Sequence, residues 1–285
     1  MQQAALETPD FAQQLRDDIA ANRVQLPTLP EVALQVREAV ESENSSAAEV
    51  ADMVTRDPAL TARLLQVANS PLYRGRVAID NVQMAITRMG LQLVKNLVIS
   101  LAMKQMFQAT SEALDRMFRE VWQDSVEVAA IARVLATDLP GLSPEQAMLA
   151  GLVHNIGALP VLTKLDLDLG FEADKQTVVR LVDEVGPSLG QEMLTQWQFA
   201  EEVARVPVEC LDLRRERAEA DYADLVLVAR LEHLATHARL DDATCPMRWP
   251  EYSAFARVGI ETEVTVLEME GPAEQIAEVR ELLNG

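Results

Sequence analysis

The stretch from Thr55 to Ser100 constrains the fold more than any other, because helix start and stop signals follow one another closely along it. Asp57-Pro58 is typical of an N-cap followed by a first helical residue whose missing N–H costs nothing. Asn69-Ser70-Pro71 predicts the end of that helix, since the residue before a proline disfavours the α region. Asp80 is the predicted cap of the next helix, and Gly90 is predicted to end it with a positive φ. These signals predict a compact unit of short helices.

Apolar residues at helical spacing continue along most of the chain, including a further helix from Leu91 to Met106. Gly186-Pro187 predicts a break between two helices, and the stretch from Leu159 to Asp168 predicts a helix end followed by a loop. The stretch from Val264 to Leu267 has the composition of a short strand, but an isolated turn or helix end is favoured there. Because the sequence has no strand-rich block and no internal repeat, it predicts an all-α, multi-helical fold.

The composition is that of an ordinary globular protein. With 285 residues, 49% of them hydrophobic and 25% charged, the chain can bury a substantial core as one large domain or two small ones. No apolar run approaches the roughly 20 residues of a membrane span, and the N-terminal MQQAALETPDF lacks the basic and apolar regions of a signal peptide. Cys210 and Cys245 lack the spacing of a zinc site, so we interpret them as reduced thiols. These features predict a cytoplasmic protein without membrane insertion.

The charge is unevenly distributed. The formal net charge is -20, which argues against nucleic acids and anionic membranes as partners, because both would repel the chain. The segment from Arg56 to Lys104 holds seven basic and two acidic residues, a net charge of +5, so the remainder carries -25. Such an island can dock an acidic partner or a phosphate-bearing ligand, or its side chains can simply solvate helix surfaces. As a docking hypothesis we select four of its arginines: Arg63, Arg74, Arg76 and Arg88.

Three separated motifs occur in the order typical of one family. They are LPTLPEVALQV from Leu26, DPALTARLLQVANSPLY from Asp57, and AIDNVQMAITRMGLQLVKNLVIS ending at Ser100. With these motifs the chain resembles, over about residues 20 to 240, the HD-related output domain (HDOD) family of bacterial signalling proteins. The resemblance implies an N-terminal helical lobe packed on a degenerate HD-like helical lobe. The implied organisation is an N-terminal extension (1–19), an HDOD domain (20–215, with lobes of about 20–110 and 111–215) and a C-terminal helical segment completing the HD-like lobe (216–285).

The resemblance also implies where a metal site would lie. In metal-dependent HD phosphohydrolases, histidines and carboxylates converge on one or two divalent cations that activate water. The family's His-Asp pair corresponds to His154 and Asn155, its first histidine to Asp124 and its distant aspartate to Asp224. Asn155 is a neutral amide, so the site lacks one full negative charge of the kind that holds a hard cation. We therefore predict a degenerate site without metal or cofactor, in which His154 is a satisfied interior residue.

A second pair of histidines, His233 and His237, lies four residues apart on one predicted helix. This spacing can bind a metal, but no glutamate follows the first histidine as in an H-E-x-x-H motif. For this pair a solvated helix face is therefore favoured.

The function that the resemblance implies is non-catalytic signal transduction, through protein contacts or a small ligand in the groove between the lobes. The implied partners are signalling proteins, such as components of two-component or cyclic dimeric GMP pathways. A divergent HD-type phosphohydrolase that uses His154, Asp224 and Asp124 is the alternative. DNA binding through the helix-turn-helix-like segment from Asp80 to Met106 is a third possibility, which the net charge disfavours.

Overall fold

The computed structural model describes residues 8–42, 46–73, 75–109, 111–169, 175–236, 252–260 and 271–284. In these residues all regular structure is helical, and no strand is present. Short 3₁₀ turns follow α6 and α7, at Lys104–Met106 and Ala136–Asp138. The predicted all-α, multi-helical fold is confirmed. The α-helices are α1 (Thr8–Ala20), α2 (Glu31–Glu41), α3 (Ala47–Thr55), α4 (Pro58–Ala68), α5 (Val82–Met89), α6 (Leu91–Met103), α7 (Glu112–Leu135), α8 (Pro144–Val153), α9 (Ala158–Leu169), α10 (Lys175–Gln196), α11 (Glu201–Ala204), α12 (Val206–Glu209), α13 (Tyr222–Thr236), α14 (Ser253–Val258) and α15 (Pro272–Asn284).

The helix boundaries around α4 and α5 follow from local hydrogen bonds. The Asp57 carboxylate accepts hydrogen bonds from two backbone N–H groups in the first turn of α4, at 3.0 Å each, as the sequence predicted. Gly90, between α5 and α6, has the predicted positive φ, 85°. The cap of α5, however, is Asn81 and not Asp80. The Asn81 side-chain oxygen accepts from the Met84 N–H at 2.7 Å, because Asn81 is the residue that stands three positions before that N–H.

Two predictions for the segment after α8 are wrong. The stretch from Leu159 to Asp168 belongs to one continuous helix, α9, whose apolar residues form a buried face: Leu159, Leu162 and Leu165 are all at most 1% exposed. Helix α10 likewise continues through Gly186-Pro187. A proline inside a helix removes one backbone hydrogen bond, but α10 packs on both α9 and α12, and tertiary packing routinely overrides local propensity.

The helices form two packed groups that meet where α6 contacts α8. In the first group α2 packs on α3 and α6, and α5 packs on α3 and α4; in the second, α7 packs on α8, α9 and α13. A polar cluster links the groups. Tyr73 precedes α5, and its hydroxyl lies 3.1 Å from the Glu145 carboxylate of α8. Glu145 in turn forms an ion pair with Arg133 of α7 at 3.2 Å. The exact bounds of the lobes stay a prediction.

The last helix, α15, contacts both groups. Its C-terminal carbonyl oxygens accept hydrogen bonds from Arg63 and Lys104 of the first group, at 2.5 Å each. From its other side, Arg280 forms an ion pair with Glu127 of α7. The C-terminal segment therefore does more than extend the second group, because it also ties that group to the first.

One stretch of the described residues, Pro144–Asp168, is long and apolar enough to cross a membrane by length and composition, and 89% of its apolar window is buried inside the protein. This stretch comprises α8, α9 and the turn between them. Some of the positions discussed from the sequence lie outside the described residues: residues 1–7 of the N-terminal stretch, Arg74, His237, Cys245 and the stretch Val264–Leu267.

Candidate functional site

His154 lies directly after α8, a helix that is buried along most of its length. Ser143 caps this helix by accepting a hydrogen bond from the Gln146 N–H at 3.3 Å. His154 is 8% exposed, and its Nδ1 lies 2.6 Å from the Gly151 carbonyl oxygen. Because a carbonyl oxygen can only accept, we assign the ring proton to Nδ1, which leaves the lone pair on Nε2.

The imidazole of His154 is neutral near pH 7. Burial, and after it the positive charge of Arg230, lowers the pKa of His154 from 6.5 to about 3. The negative charge of Asp124 acts in the opposite direction, but it does not outweigh burial. At neutral pH this ring can accept a hydrogen bond at Nε2, but it holds no second proton to donate.

The turn that carries His154 meets α10 backbone to backbone. A Cβ atom at Gly157 would lie 1.9 Å from the Gly186 carbonyl oxygen and 2.6 Å from the Gly190 nitrogen, closer than real Cβ atoms approach. Only glycine therefore fits at position 157. Gly186, one of the two residues that suggested a helix break, instead provides together with Gly190 the surface that this turn packs on.

Helix α13 brings His233 to Asp124. The His233 Nε2 lies 3.1 Å from the Asp124 Oδ1, and His233 is 5% exposed. The interpretation of His233 as part of a solvated face is wrong, because α13 packs on α7 and α8 and this face is turned toward them. Asp124 and His154, two of the predicted site residues, thus lie within electrostatic range of each other and of His233.

Arg230 lies three residues before His233, on the same face of α13. Its guanidinium interacts electrostatically with His154 and with the Asp183 carboxylate of α10. Burial raises the pKa of the Cys210 thiol, and the positive charge of Arg230 acts against that rise. Helix α13 therefore contributes a permanently charged side chain to the electrostatic surroundings of His154.

Asp224, at the start of α13, lies in a network with two arginines. The residue is 0% exposed. Its Oδ1 accepts from Arg215 at 2.6 Å and from Arg257 at 2.7 Å, and its Oδ2 accepts from the Arg257 Nε at 2.8 Å. Both carboxylate oxygens are therefore engaged inside the protein.

Comparison with models of protein families shows which family this chain belongs to. The model of the HDOD domain matches residues 26–209, which is more than half of the chain. The chain belongs to the HDOD family. Its membership was predicted from the motifs that begin at Leu26 and end at Ser100.

Solved structures show the HDOD chain's fold over nearly its full length. A Shewanella amazonensis SB2B protein, proposed by its name to be a metal-dependent phosphohydrolase, is 30% identical with a TM-score of 0.81, covering 97% of this chain and 99% of that one. An HDOD domain protein of unknown function from Geobacter sulfurreducens is 21% identical with a TM-score of 0.67, covering 98% of both chains. A Marinobacter aquaeolei VT8 protein, proposed by its name to act in signal transduction, is 19% identical with a TM-score of 0.58, covering 98% of this chain and 69% of that one.

A curated relative is an uncharacterised protein of Treponema pallidum (strain Nichols), 23% identical over 137 residues. The matched part is 46% of this chain and 25% of that protein, so the HDOD chain spans only about a quarter of that relative's length. Together, the comparisons place the chain in the HDOD family and show its fold over nearly the full length.

The residues of this HDOD site do not fit the divalent cation of HD enzymes. In the part of the chain that the structure describes, no group of three His, Cys, Asp or Glu side chains is placed to hold a metal ion. Asn155 offers a neutral amide, and both oxygens of Asp224 are held by arginines. Arg230 adds a positive charge that acts electrostatically on His154, and like charges repel one another in a buried site.

The arginines proposed for docking differ in their surroundings. Arg63 donates to the carbonyl oxygen of Leu282 in α15, and Arg88 donates to the carbonyl oxygen of Val77. Arg76 is exposed. The docking role of these residues stays a prediction, and Arg76 is the member best placed to reach a partner.

Sequence reasoning missed the arginines of the HDOD site, of which Arg215 is buried and Arg230 and Arg257 are half-buried. Arg215 stands in a run of charged residues, and nothing local distinguishes it from the exposed Arg214. Arg257 follows a stretch with weak periodicity. Arg230 did carry a signal, because it interrupts the apolar stretch LVLVA of α13 three residues before His233 and so lies on the same face.

Proposed function

We propose that this HDOD chain is a non-catalytic module of signal transduction that acts by contacting other signalling proteins. The observation that carries the proposal is the set of hydrogen bonds that the Asp224 carboxylate accepts from two arginines. HD-type hydrolysis needs carboxylates that are free to hold a cation, whereas both oxygens of this buried carboxylate accept hydrogen bonds from Arg215 and Arg257. Withdrawing Asp224 from this network would leave Arg215 buried with one carboxylate fewer, and breaking a buried ion pair costs about 3–5 kcal/mol.

The chemistry at His154 supports the same proposal. A general acid or base works best when its pKa lies near the operating pH, but burial and Arg230 hold the pKa of His154 near 3. Asn155 next to it cannot supply a negative charge. Neither proton transfer nor binding of a hard cation is favoured by this pair.

The proposed contact surface is the loop between α4 and α5. There Arg76 and Val77 are adjacent and exposed, Val77 by 61%, and they belong to the segment whose net charge is positive. This surface fits an acidic partner, which we propose to be a signalling protein such as a component of a two-component or cyclic dimeric GMP pathway. The charge change Arg76→Glu should weaken capture of such a partner from a lysate of the source cells, whereas Arg214→Glu, an equally exposed control, should not. Equal capture by both variants would remove this surface from the proposal.

A small ligand is the other input that the proposal includes. A cavity of about 520 Å³ lies where α6 leads into α7. The rings of Phe107 and Trp122, with centroids 5.1 Å apart, form part of its wall, and Lys104 and Arg119 also line it. A volume of this order accommodates a small molecule, so this junction is the place where we propose such a ligand would bind.

The decisive test for the non-catalytic role is a hydrolysis assay. The purified chain is incubated with manganese and the generic substrates p-nitrophenyl phosphate and bis(p-nitrophenyl) phosphate, alongside the variant His154→Ala. We expect the same background rate from both proteins. Manganese-dependent turnover that His154→Ala abolishes would overturn the proposal.

That outcome would favour the second candidate, a divergent HD-type phosphohydrolase. Its specific support is the Shewanella amazonensis protein proposed to be a metal-dependent phosphohydrolase, which is 30% identical across 97% of this chain. In this candidate His154 and Asp124 would hold the cation, and Asp224 would have to leave its two arginines to join them.

A further inference from the structure

The last helix, α15, fills an apolar groove between the two helix groups. Side chains of both groups line this groove, among them Val67 and Leu97 of the first group and Met148 of the second. Helix α15 also packs along α7. The inner face of α15 consists of three buried apolar residues at helical spacing: Ile276, Val279 and Leu283. The groove therefore holds α15 as it would hold any amphipathic helix with this apolar pattern.

Two cations hold the C-terminal end of α15. Arg63 donates to the Leu282 carbonyl oxygen and Lys104 donates to the Asn284 carbonyl oxygen, at 2.5 Å each. The last carbonyl oxygens of a helix carry a partial negative charge, which favours cations at this end. Every helix presents such carbonyl oxygens, so these two contacts do not depend on the side chains of α15.

The helix and its surroundings carry opposite charges. Helix α15 has three glutamates and one arginine, a net charge of -2, whereas the segment from Arg56 to Lys104 has a net charge of +5. One of the glutamates, Glu278, accepts a hydrogen bond from the backbone N–H of Leu72 at 3.2 Å. The groove therefore suits a helix that is acidic on its polar face.

Two observations indicate that α15 is a replaceable occupant. The HDOD match ends at residue 209, so α15 lies beyond the matched domain. Ser100 lines the groove and is 0% exposed, and the described residues give its hydroxyl no hydrogen-bond partner. A buried hydroxyl without a partner costs free energy. The apolar face of α15 thus leaves one polar group of the groove unsatisfied.

We propose that this groove is the docking site for an acidic amphipathic helix of a partner protein, and that α15 occupies the groove as an intramolecular competitor. The inference rests on the proposed function and deepens it, since it names the surface and the chemistry of the partner. Arg63, one of the arginines selected for docking, binds the partner's helix in place of α15. Because α15 ties the two helix groups together, its displacement also removes that tie.

The test uses the helix itself as the probe. A fluorescent peptide of residues 271–285 is titrated into the full chain and followed by anisotropy. In the parent, α15 competes at an effective concentration on the order of millimolar, so the peptide should bind weakly. Ile276→Ser/Val279→Ser removes apolar contacts of α15 within the chain and should bind the peptide about tenfold more tightly or better. Ala277→Ser, at an exposed position of the same helix, should behave like the parent.

The groove and the charge of the probe are tested in the Ile276→Ser/Val279→Ser chain. Adding Arg63→Ala should weaken peptide binding about tenfold, since a hydrogen bond from a charged donor contributes roughly that factor. Adding Arg56→Ala, an exposed arginine of the same basic segment, should not weaken it. A second peptide, in which lysine replaces the three glutamates, should bind about tenfold more weakly or worse.

Hydrogen exchange of the parent chain keeps the inference testable if the double variant is poorly folded. A replaceable helix opens without global unfolding, so the amides of α15 should exchange faster than those of the buried helix α8. Exchange of α15 as slow as that of α8 would overturn the inference.

Three binding results would also overturn the inference: a folded Ile276→Ser/Val279→Ser chain that does not bind the peptide, a parent that binds it as tightly as this variant, or equal binding of the lysine peptide. The proposed function fails differently, through phosphoester turnover by the parent chain, so the two failures can be told apart.

Discussion

The substitution Gly157→Ala tests how the turn after His154 is held in place. The added Cβ would lie 1.9 Å from the carbonyl oxygen and 2.8 Å from the carbonyl carbon of Gly186, and 2.6 Å from the nitrogen of Gly190. All three atoms belong to the backbone of α10, so no side-chain rotation can relieve the contact. Either the turn or the helix must move by more than 1 Å, given that a normal contact is about 3.4 Å or longer.

The expected loss of stability is large. Overpacking of a core costs about 1–3 kcal/mol, and more where the neighbours cannot adjust. Because the neighbour is a continuous helix, we expect Gly157→Ala to lower the free energy of unfolding by about 3 kcal/mol or more. For a chain of this size that corresponds to a drop in Tm of roughly 6–12 °C, which differential scanning calorimetry or thermal circular dichroism would measure.

The same contact provides the control. A Cβ at Gly186 would meet its nearest atom at 3.4 Å, which is an ordinary contact, and Gly186 lies inside α10. Alanine is favoured over glycine in a helix interior by up to about 1 kcal/mol, so Gly186→Ala should leave the Tm unchanged or raise it. If the two substitutions had similar effects, the close approach of Gly157 to α10 would not be what fixes this turn.

Three further predictions concern pH, the link between the helix groups and a helix cap. The pKa of His154 is about 3 in the folded chain and 6.5 ordinarily, so the unfolded chain binds the proton first as pH falls. The free energy of unfolding should therefore decrease as pH decreases from 6.5 toward 3. In urea titrations, His154→Gln should show a shallower decrease between pH 6.5 and 5. Arg133→Met leaves the buried Glu145 without its ion pair and should lower the free energy of unfolding by about 3–5 kcal/mol. The double variant Arg133→Met/Glu145→Met should recover most of that loss in the same urea titrations. If it recovers none, the unpaired charge of Glu145 is not the cause of the loss. Ser143→Ala removes the cap of α8 and should cost about 1 kcal/mol, whereas Ser143→Asp should cost less.

Much of the fold could be predicted because its signals are local. The cap at Asp57 depends on backbone N–H groups two and three residues away, and it is present as predicted. The errors arose where packing against a distant element decides whether a helix continues. Gly186-Pro187 has the sequence of a break, but the packing of α10 on α9 and α12 keeps the helix continuous.

The site was predictable only in part, for the same reason. The motif around His154 is local, and so is the loss of charge at Asn155. The partners are not local: Arg257 lies 33 residues from Asp224, and His233 lies 109 residues from Asp124. No periodicity in the sequence shows which acid each of these cations meets, and an arginine in a charged run gives no sign that it will be buried.

The hydrogen-bond geometry of His154 and its electrostatic surroundings indicate different roles for this residue. Its geometry resembles that of a metal ligand, because a ligating histidine commonly donates its other ring proton to a carbonyl oxygen as His154 does to Gly151. Its surroundings do not, since the positive charge of Arg230 acts on it. A neutral imidazole with a pKa of about 3 contributes packing and hydrogen bonding at neutral pH but little acid-base chemistry. The proposed signalling role therefore depends on what the surface contacts, which is why the exposed Arg76 and the junction between α6 and α7 are where binding should be sought.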